Sequence, residues 1–266
     1  MAQKNLNELY FSQSALSIFN KCRRRFRYRY LDNLYWPAEW GMDDKIREDL
    51  ERGRLFHLLA ERYYSNNLGI TILEENKLLQ AWLDRLKAFC PADDSIVSAE
   101  QELRYNDRGM KFLAKYDLLQ YNSSKKCFTI YDWKTDKKSL FNKDLKNSMQ
   151  SRFYLYLFVE AGYQYFGEKY ITENMPSIIY WNPRFPSEKI QVKYSKTEFN
   201  KDSEFFNDLI KEIKKESEFP LTEDLNICRY CEYRPVCRGK KQEGQELFEE
   251  DLDLDLDWES VEEMEF

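Results

Sequence analysis

Asp132 and Lys134 are the residues of this chain best placed to do chemistry. They stand two apart at the end of an apolar, strand-like run, Cys127, Phe128, Thr129, Ile130 and Tyr131. Side chains alternate faces along a strand, so Asp132 and Lys134 are expected on one face. A carboxylate suits a hard divalent cation, and an ammonium beside it can hold a water or an oxyanion. Fifteen residues upstream, Asp117 closes a second strand-like run, 111–117. Two neighbouring strands ending in Asp117 and in Asp132 and Lys134 would build a site for metal-assisted phosphodiester hydrolysis. Alone, Asp-x-Lys is a common pattern that usually marks a solvated strand end or turn. Its weight comes from the polar residues arranged around it.

The elements that must position these groups can be read from hydrophobic periodicity. Ser12 and Ser14 form a helix N-cap region before Ala15. That helix is expected to continue through Cys22 and the run 23–30, where arginines interleave with Phe26, Tyr28 and Tyr30. Two readings of the run stand equally: a face that contacts phosphates and bases, or an amphipathic helix with Phe26 and Tyr30 in the core. Residues 31–44, with Trp36, Pro37 and Trp40, read as irregular. A helix over 45–65 carries Leu50, Leu55, Leu58, Leu59 and Tyr63 on one face, together with the only histidine, His57. A second amphipathic helix covers 74–89. Strands follow at 96–105, 111–121 and 127–134, with a turn at Asn122, Ser123 and Ser124. An aromatic-rich helix over 144–166, strands at 177–181 and 189–194 and a helix over 197–217 complete the pattern. The order fits an α/β fold, a central mixed β-sheet flanked by helices.

Bulk composition narrows the function classes. With 266 residues, 42% hydrophobic and 16% aromatic, the chain can bury one large core. It contains no apolar run of about 18 residues, so no membrane span is expected. The first residues lack the apolar core of a signal peptide, which points to the cytoplasm. Six cysteines are then reduced thiols or metal ligands. The formal net charge of -6 is unevenly spread. Residues 243–266 hold twelve Asp and Glu and no Lys or Arg; the remaining 35 acidic and 41 basic residues make the body net positive by 6. A basic body suits a polyanionic partner. The division is a folded body over 1–242 and a disordered, solubilising acidic tail over 243–266.

Around Asp132 and Lys134 a wider set falls into order: Gly53 and His57 four apart on one helix, Glu100 or Glu102 on the first strand, Ala114 through Asp117 on the second, and Gln150 and Tyr154 four apart on a later helix. Residues four apart share a helix face. Taken in sequence, these elements resemble the PD-(D/E)XK nuclease superfamily, in particular the branch around the RecB and AddB nuclease domains and the CRISPR-adaptation exonucleases. The family's usual glycine ahead of the metal-binding aspartate is Ala114 here. The resemblance implies a restriction-endonuclease-like core. It implies that His57, Asp117 and Asp132, with the Trp133 carbonyl, bind Mg2+ or Mn2+. Lys134 would position or activate the attacking water, and Gln150 and Tyr154 would place the DNA strand or Lys134. It further implies an exonuclease on single-stranded DNA or duplex ends, in repair, recombination or CRISPR spacer processing. The alternative is a catalytically inactive DNA-binding subunit beside a helicase or integrase. No G-x-x-x-x-G-K-[ST] motif occurs, so a helicase would be a separate chain.

Cys228, Cys231 and Cys237 have the spacing C-x2-C-x5-C, a metal-binding pattern in a cytosolic chain. An all-thiolate site wants four ligands, and Cys22 is the candidate fourth. Cys90 and Cys127 sit in apolar or strand-like context and read as ordinary thiols. Zinc is the generic occupant of such a set. The resemblance favours a [4Fe-4S] cluster instead, clasping the two ends of the chain, with zinc as the alternative. The acidic tail ends in Phe266 and is similar to the tails of single-stranded-DNA-binding proteins, which suggests docking or autoinhibition as a second role. Expected partners are therefore DNA and a helicase, integrase or single-stranded-DNA-binding protein.

Overall fold

Five runs, the last three rich in β-branched and aromatic residues, pair into one mixed sheet in the computed structural model of the chain. The order is β1 (Ile96–Asp107), β2 (Met110–Asn122), β3 (Cys127–Trp133), β4 (Ser177–Trp181) and β5 (Lys189–Lys193). The structure describes residues 5–34, 44–67, 76–107, 109–142, 144–167, 170, 173–229 and 231–239. Trp36, Pro37, Trp40 and the acidic tail 243–266 lie outside them. β2 and β3 are antiparallel, with Leu118 opposite Tyr131 and Asn122 opposite Cys127. Asn122 Oδ1 accepts the Lys125 amide at 2.7 Å and Lys126 takes a left-handed φ of 46°, which closes the hairpin. β3 and β4 are parallel, and β4 and β5 antiparallel. The parallel pair requires a crossover, supplied by the helix between β3 and β4.

The helices are α1 (Gln13–Lys21), α2 (Arg23–Phe26), α3 (Asp44–Tyr64), α4 (Lys77–Phe89), α5 (Met149–Phe166), α6 (Lys196–Lys215), α7 (Leu225–Arg229) and α8 (Arg234–Arg238). Ser12 caps α1, accepting the Ala15 amide at 3.1 Å. The helix expected to run on to Tyr30 is broken at Cys22, whose φ of -157° and ψ of 107° are extended. The Cys22 sulfur faces the Arg25 amide at 3.5 Å and so caps α2, which passes into a π-helical turn, Arg27–Leu31. α5 starts five residues later than periodicity suggested, because Ser148 Oγ accepts the Ser151 amide and acts as an N-cap. Asn76 does the same for α4; Glu74 and Glu75 lie outside the described residues. Among the described residues no helix is long and apolar enough to cross a membrane.

The described residues fall into two compact units, and α3, β1, β2 and α6 contribute to both. The first draws on Met1–Arg47, Arg104–Leu113 and Glu204–Phe266. Its centre is aromatic: Phe26 lies 5.4 Å from Phe19 and 6.1 Å from Phe219, ring to ring. Arg23 pairs with Glu212 and Glu216, Arg25 with Glu232, and Arg27 with Asp32. These arginines of the basic run are thus engaged by carboxylates, and Phe26 is fully buried.

The second unit, Glu48–Leu103 and Ala114–Ser203, carries the helices that sandwich the sheet. Phe56 and Leu59 of α3 and Trp82 and Leu86 of α4 pack on Leu118, Tyr131, Trp133, Ile179 and Trp181. α5 takes the other face, with Tyr154 and Phe158 against Tyr116 and with Phe158 and Phe166 against Phe128. Tyr116 and Leu118 are two apart yet pack on opposite faces. A regular strand would put them on the same face, so β2 changes face at Asp117. Asp117, which closes the run 111–117, lies inside β2, in keeping with the strand expected over 111–121, and sits at this irregularity.

Candidate functional site

The second unit brings α3, the middle of β1 and β2, the end of β3 and the start of α5 to one place. Gly53 makes the approach of α3 close: a Cβ there would stand 2.7 Å from Thr135 Oγ1, immediately after Lys134. One helical turn on, His57 Nδ1 lies 3.3 Å from Asp117 Oδ1 and 3.9 Å from Glu100 Oε1. One ligand atom from each of His57, Glu100 and Asp117 falls within 4.8 Å of the others. Glu100 takes a left-handed φ of 49°, a costly conformation for a non-glycine residue inside a strand. That turn carries its carboxylate into the group. Glu102, the other glutamate read from the sequence, is half-buried and outside it.

Asp132, Lys134 and Gln150 form the adjoining group. Lys134 Nζ lies 2.8 Å from Asp132 Oδ1 and donates to Gln150 Oε1 at 2.8 Å, while Gln150 Nε2 donates to Asp132 Oδ2 at 2.7 Å. The Tyr180 ring centre is 5.5 Å from the same ammonium. The Trp133 amide joins the two groups, donating to Asp117 Oδ2 at 2.5 Å. The Trp133 indole is buried in the core of α3 and α4, so this residue meets the site through its backbone. Tyr154 is buried with its ring 5.1 Å from that of Tyr116, and its carbonyl accepts the Tyr116 hydroxyl. Lys115, which motif reading passed over, is also present: Nζ lies 2.6 Å from Glu100 Oε2. Its position two before Asp117 on a strand was the available signal.

Burial sets the electrostatics. It pushes Glu100 up to about 7, helped by Asp117 and opposed by His57 and Lys115. It pushes Asp132 up to about 6, with Lys134 opposing and Asp117 adding. For Lys134 burial works against the charge, but Asp132 and Tyr180 outweigh it and hold the pKa above the ordinary lysine value. Lys134 is therefore a fixed cation at neutral pH.

The residues suit a divalent cation. Glu100 Oε1 is buried and accepts no hydrogen bond, and a buried carboxylate oxygen left so calls for a cation or water. Two carboxylates and an imidazole are a sound donor set for Mg2+ or Mn2+. The grouped ligand atoms come from His57, Asp117 and Glu100, whereas Asp132 is engaged by Lys134 and Gln150.

The four cysteines of the expected cluster lie in the first unit, and Cys90 and Cys127 in the second. Cys22 and Cys231 are buried, Cys228 and Cys237 half-buried, and all are free thiols. Burial, then the charges of Glu232 and Cys22, push Cys231 up to about 12. Burial, then Cys22, raises Cys237, to which Cys228 adds. Among the described residues no three cysteine sulfurs gather as closely as the ligand atoms of His57, Glu100 and Asp117.

Among curated proteins none matches the chain. Solved structures do. The crystal structure of a candidate exonuclease from Eubacterium rectale shares the fold, with a TM-score of 0.51 at 12% identity over 94% of this chain and 95% of that one. SSO0001 aligns over 91% of this chain and 90% of its own at 16% identity, with a TM-score of only 0.38. The family model of the PD-(D/E)XK nuclease superfamily matches residues 10–96 and 91–238, a span that includes the sheet, α3, α5 and both charged groups. The chain belongs to the PD-(D/E)XK nuclease superfamily.

Proposed function

We propose that this protein is a divalent-cation-dependent deoxyribonuclease, acting as an exonuclease on single-stranded DNA or DNA ends. The observation that carries the reading is the junction of two groups: His57, Glu100 and Asp117, which suit a cation, and Asp132, Lys134 and Gln150, which hold a charged ammonium beside it. A bound Mg2+ or Mn2+ would polarise the phosphoryl group and lower the pKa of a water. Lys134 is held charged, so it acts electrostatically, donating to a phosphoryl oxygen or orienting the water, rather than accepting its proton. Gln150 fixes the direction of the ammonium by accepting one of its protons, and fixes Asp132 by donating to it. The water loses a proton to solvent as its oxygen bonds to phosphorus, the bond to one sugar oxygen breaks, that oxygen takes up a proton from solvent, and the products are a phosphate monoester and a hydroxyl. Exonuclease action and a place in repair, recombination or CRISPR spacer processing rest on the motif resemblance to the RecB, AddB and CRISPR-adaptation branch. So does a helicase, integrase or single-stranded-DNA-binding protein as partner.

We further propose that Cys22, Cys228, Cys231 and Cys237 bind a [4Fe-4S] cluster, with zinc as the competing occupant. The C-x2-C-x5-C spacing and the presence of all four cysteines in one unit, with Cys22 close enough to raise both Cys231 and Cys237, support it. Iron and sulfide analysis of anaerobically purified protein tests this. Zinc in a colourless preparation would overturn the cluster, and a Cys22→Ser variant with full iron and activity would remove Cys22 from its ligand set.

The nuclease test is loss of end label from single-stranded DNA with Mn2+ or with chelator, beside Lys134→Ala. Cation-dependent loss that disappears in the variant supports the reading. Binding without cleavage in any cation would make the protein a DNA-binding scaffold.

A further inference from the structure

Lys115 stands in the site without a role. Tyr116, between Lys115 and Asp117, packs on Tyr154 and Phe158 of α5. β2 changes face at Asp117, so the contacts and not alternation place Lys115 and Asp117 in one group: both adjoin the set formed by His57 and Glu100. Lys115 meets Glu100, and Asp117 meets His57. The site therefore contains two ammonium groups. They differ in setting. The Lys134 side chain is 18% exposed and clamped by Asp132 and Gln150, whereas the Lys115 side chain is 28% exposed against a Glu100 that is 9% exposed.

Glu100 divides its two oxygens. Oε2 faces Lys115, and Oε1 points into the cation-binding group, 3.9 Å from His57. The same carboxylate can hold a cation on one side and an ammonium on the other. Charge then decides what the ammonium serves. Ionised Glu100, Asp117 and Asp132 supply three negative charges, and Lys115 and Lys134 two positive ones. A single divalent cation makes the set net positive by one, and one phosphodiester neutralises it. Without Lys115 the same complex would bury an uncompensated negative charge, which is strongly unfavourable.

We propose that Lys115 is a phosphate-contacting residue of this active site: positioned by Glu100 Oε2, its ammonium donates to a non-bridging oxygen of the bound nucleic-acid phosphodiester. The inference rests on the nuclease reading, and its test separates the two. Wild type, Lys115→Met, Lys115→Gln and Lys115→Arg are assayed on end-labelled single-stranded DNA at saturating Mn2+, resolving kcat and KM over a KCl series. In parallel, affinity for the same oligonucleotide is read by fluorescence anisotropy in a Lys134→Ala background, so the Lys115 result stands even where wild type does not cleave.

The Met and Gln variants should lose roughly 10²-fold in kcat/KM, the size of a lost transition-state donor. Their log-affinity against log-salt slope should be shallower by about 0.7, one single-strand phosphate contact. The Arg variant should keep the slope. A neutral variant with the wild-type slope and wild-type kcat/KM at saturating Mn2+, only its Mn2+ midpoint moved, would overturn the proposal and leave Lys115 as a counter-charge for Glu100. The Met variant keeps the apolar stem of a partly exposed side chain, so either neutral variant alone decides the outcome. No cleavage by wild type would strike the nuclease reading alone.

Discussion

The backbone amide of Trp133 donates to the carboxylate of Asp117 at 2.5 Å. This single bond fastens the end of β3, with Asp132 and Lys134 on either side of the amide's residue, to the carboxylate that faces His57. The donor is main chain, so no exchange at Trp133 other than to proline deletes it. The indole sets where that main chain lies, stacking edge to face with Trp181 at 6.0 Å in the core of α3 and α4. The core and the site are thus joined through one residue.

Gln150 contacts both charged side chains of β3, accepting from Lys134 and donating to Asp132. Gln150→Leu keeps the approximate volume and removes both bonds. Nuclease activity should fall by roughly 10–100-fold, as for other residues that orient ligands and catalytic groups, with little change in melting temperature. Equal losses of activity and stability would reduce Gln150 to a packing residue.

Cation binding should depend on pH. Glu100 rises from an ordinary 4.5 to about 7 and Asp132 from 3.8 to about 6, both chiefly through burial. The folded state then binds protons more tightly than the unfolded one, so the cation-free protein loses stability as pH rises through about 3.8–7. A divalent cation replaces those protons. Mn2+ should therefore raise the melting temperature more at pH 7.5 than at pH 5.5, and Glu100→Gln should flatten the pH dependence of the cation-free protein. Equal Mn2+ shifts at the two pH values would contradict this account.

The strands were legible because each carries its own run of apolar or alternating residues. What failed to show was set by geometry that one sequence does not state. Glu100 and Glu102 share a face in any regular strand, and the left-handed φ at Glu100 separates them. The strand over 111–121 was legible, but the change of face at Asp117 within it was not, because alternation read from sequence assumes a regular strand. The run 23–30 read equally as a DNA face because the carboxylates that engage it, Glu212, Glu216 and Glu232, lie about 190–210 residues away. Ser148 and Cys22 act as caps through side chains, which periodicity does not register.

Gly53 tests whether close approach of α3 matters for chemistry. Alanine should favour the helix by about 1 kcal/mol, but its Cβ would meet Thr135 Oγ1 at 2.7 Å. The Thr135 carbonyl accepts the Arg184 Nε at 2.7 Å, so that segment cannot shift freely. Gly53→Ala should melt within about 1 kcal/mol of wild type yet lose activity, because Thr135 follows Lys134. Removing the obstructing hydroxyl with Thr135→Ala should restore activity to the Gly53→Ala protein. Failure of that rescue would move the glycine's importance to some other contact.

The first unit offers a separate test of its own integrity. Arg25 and Glu232 form a two-pronged pair, with Nε to Oε1 at 3.1 Å and a terminal guanidinium nitrogen to Oε2 at 2.8 Å, their side chains 10% and 9% exposed. Removing one partner leaves a buried charge. Glu232→Ala should cost about 3–5 kcal/mol, whereas replacing both, Arg25→Met with Glu232→Leu, should cost less than either single change. Chemical denaturation of the three variants reads the difference. The Arg25 amide also faces the Cys22 sulfur, and Glu232 adjoins Cys231. If these cysteines hold a metal cluster, the double variant should keep its metal while Glu232→Ala loses it under mild denaturant. Metal loss in the double variant at unchanged stability would show that the charges, rather than the packing, hold the cysteines in place.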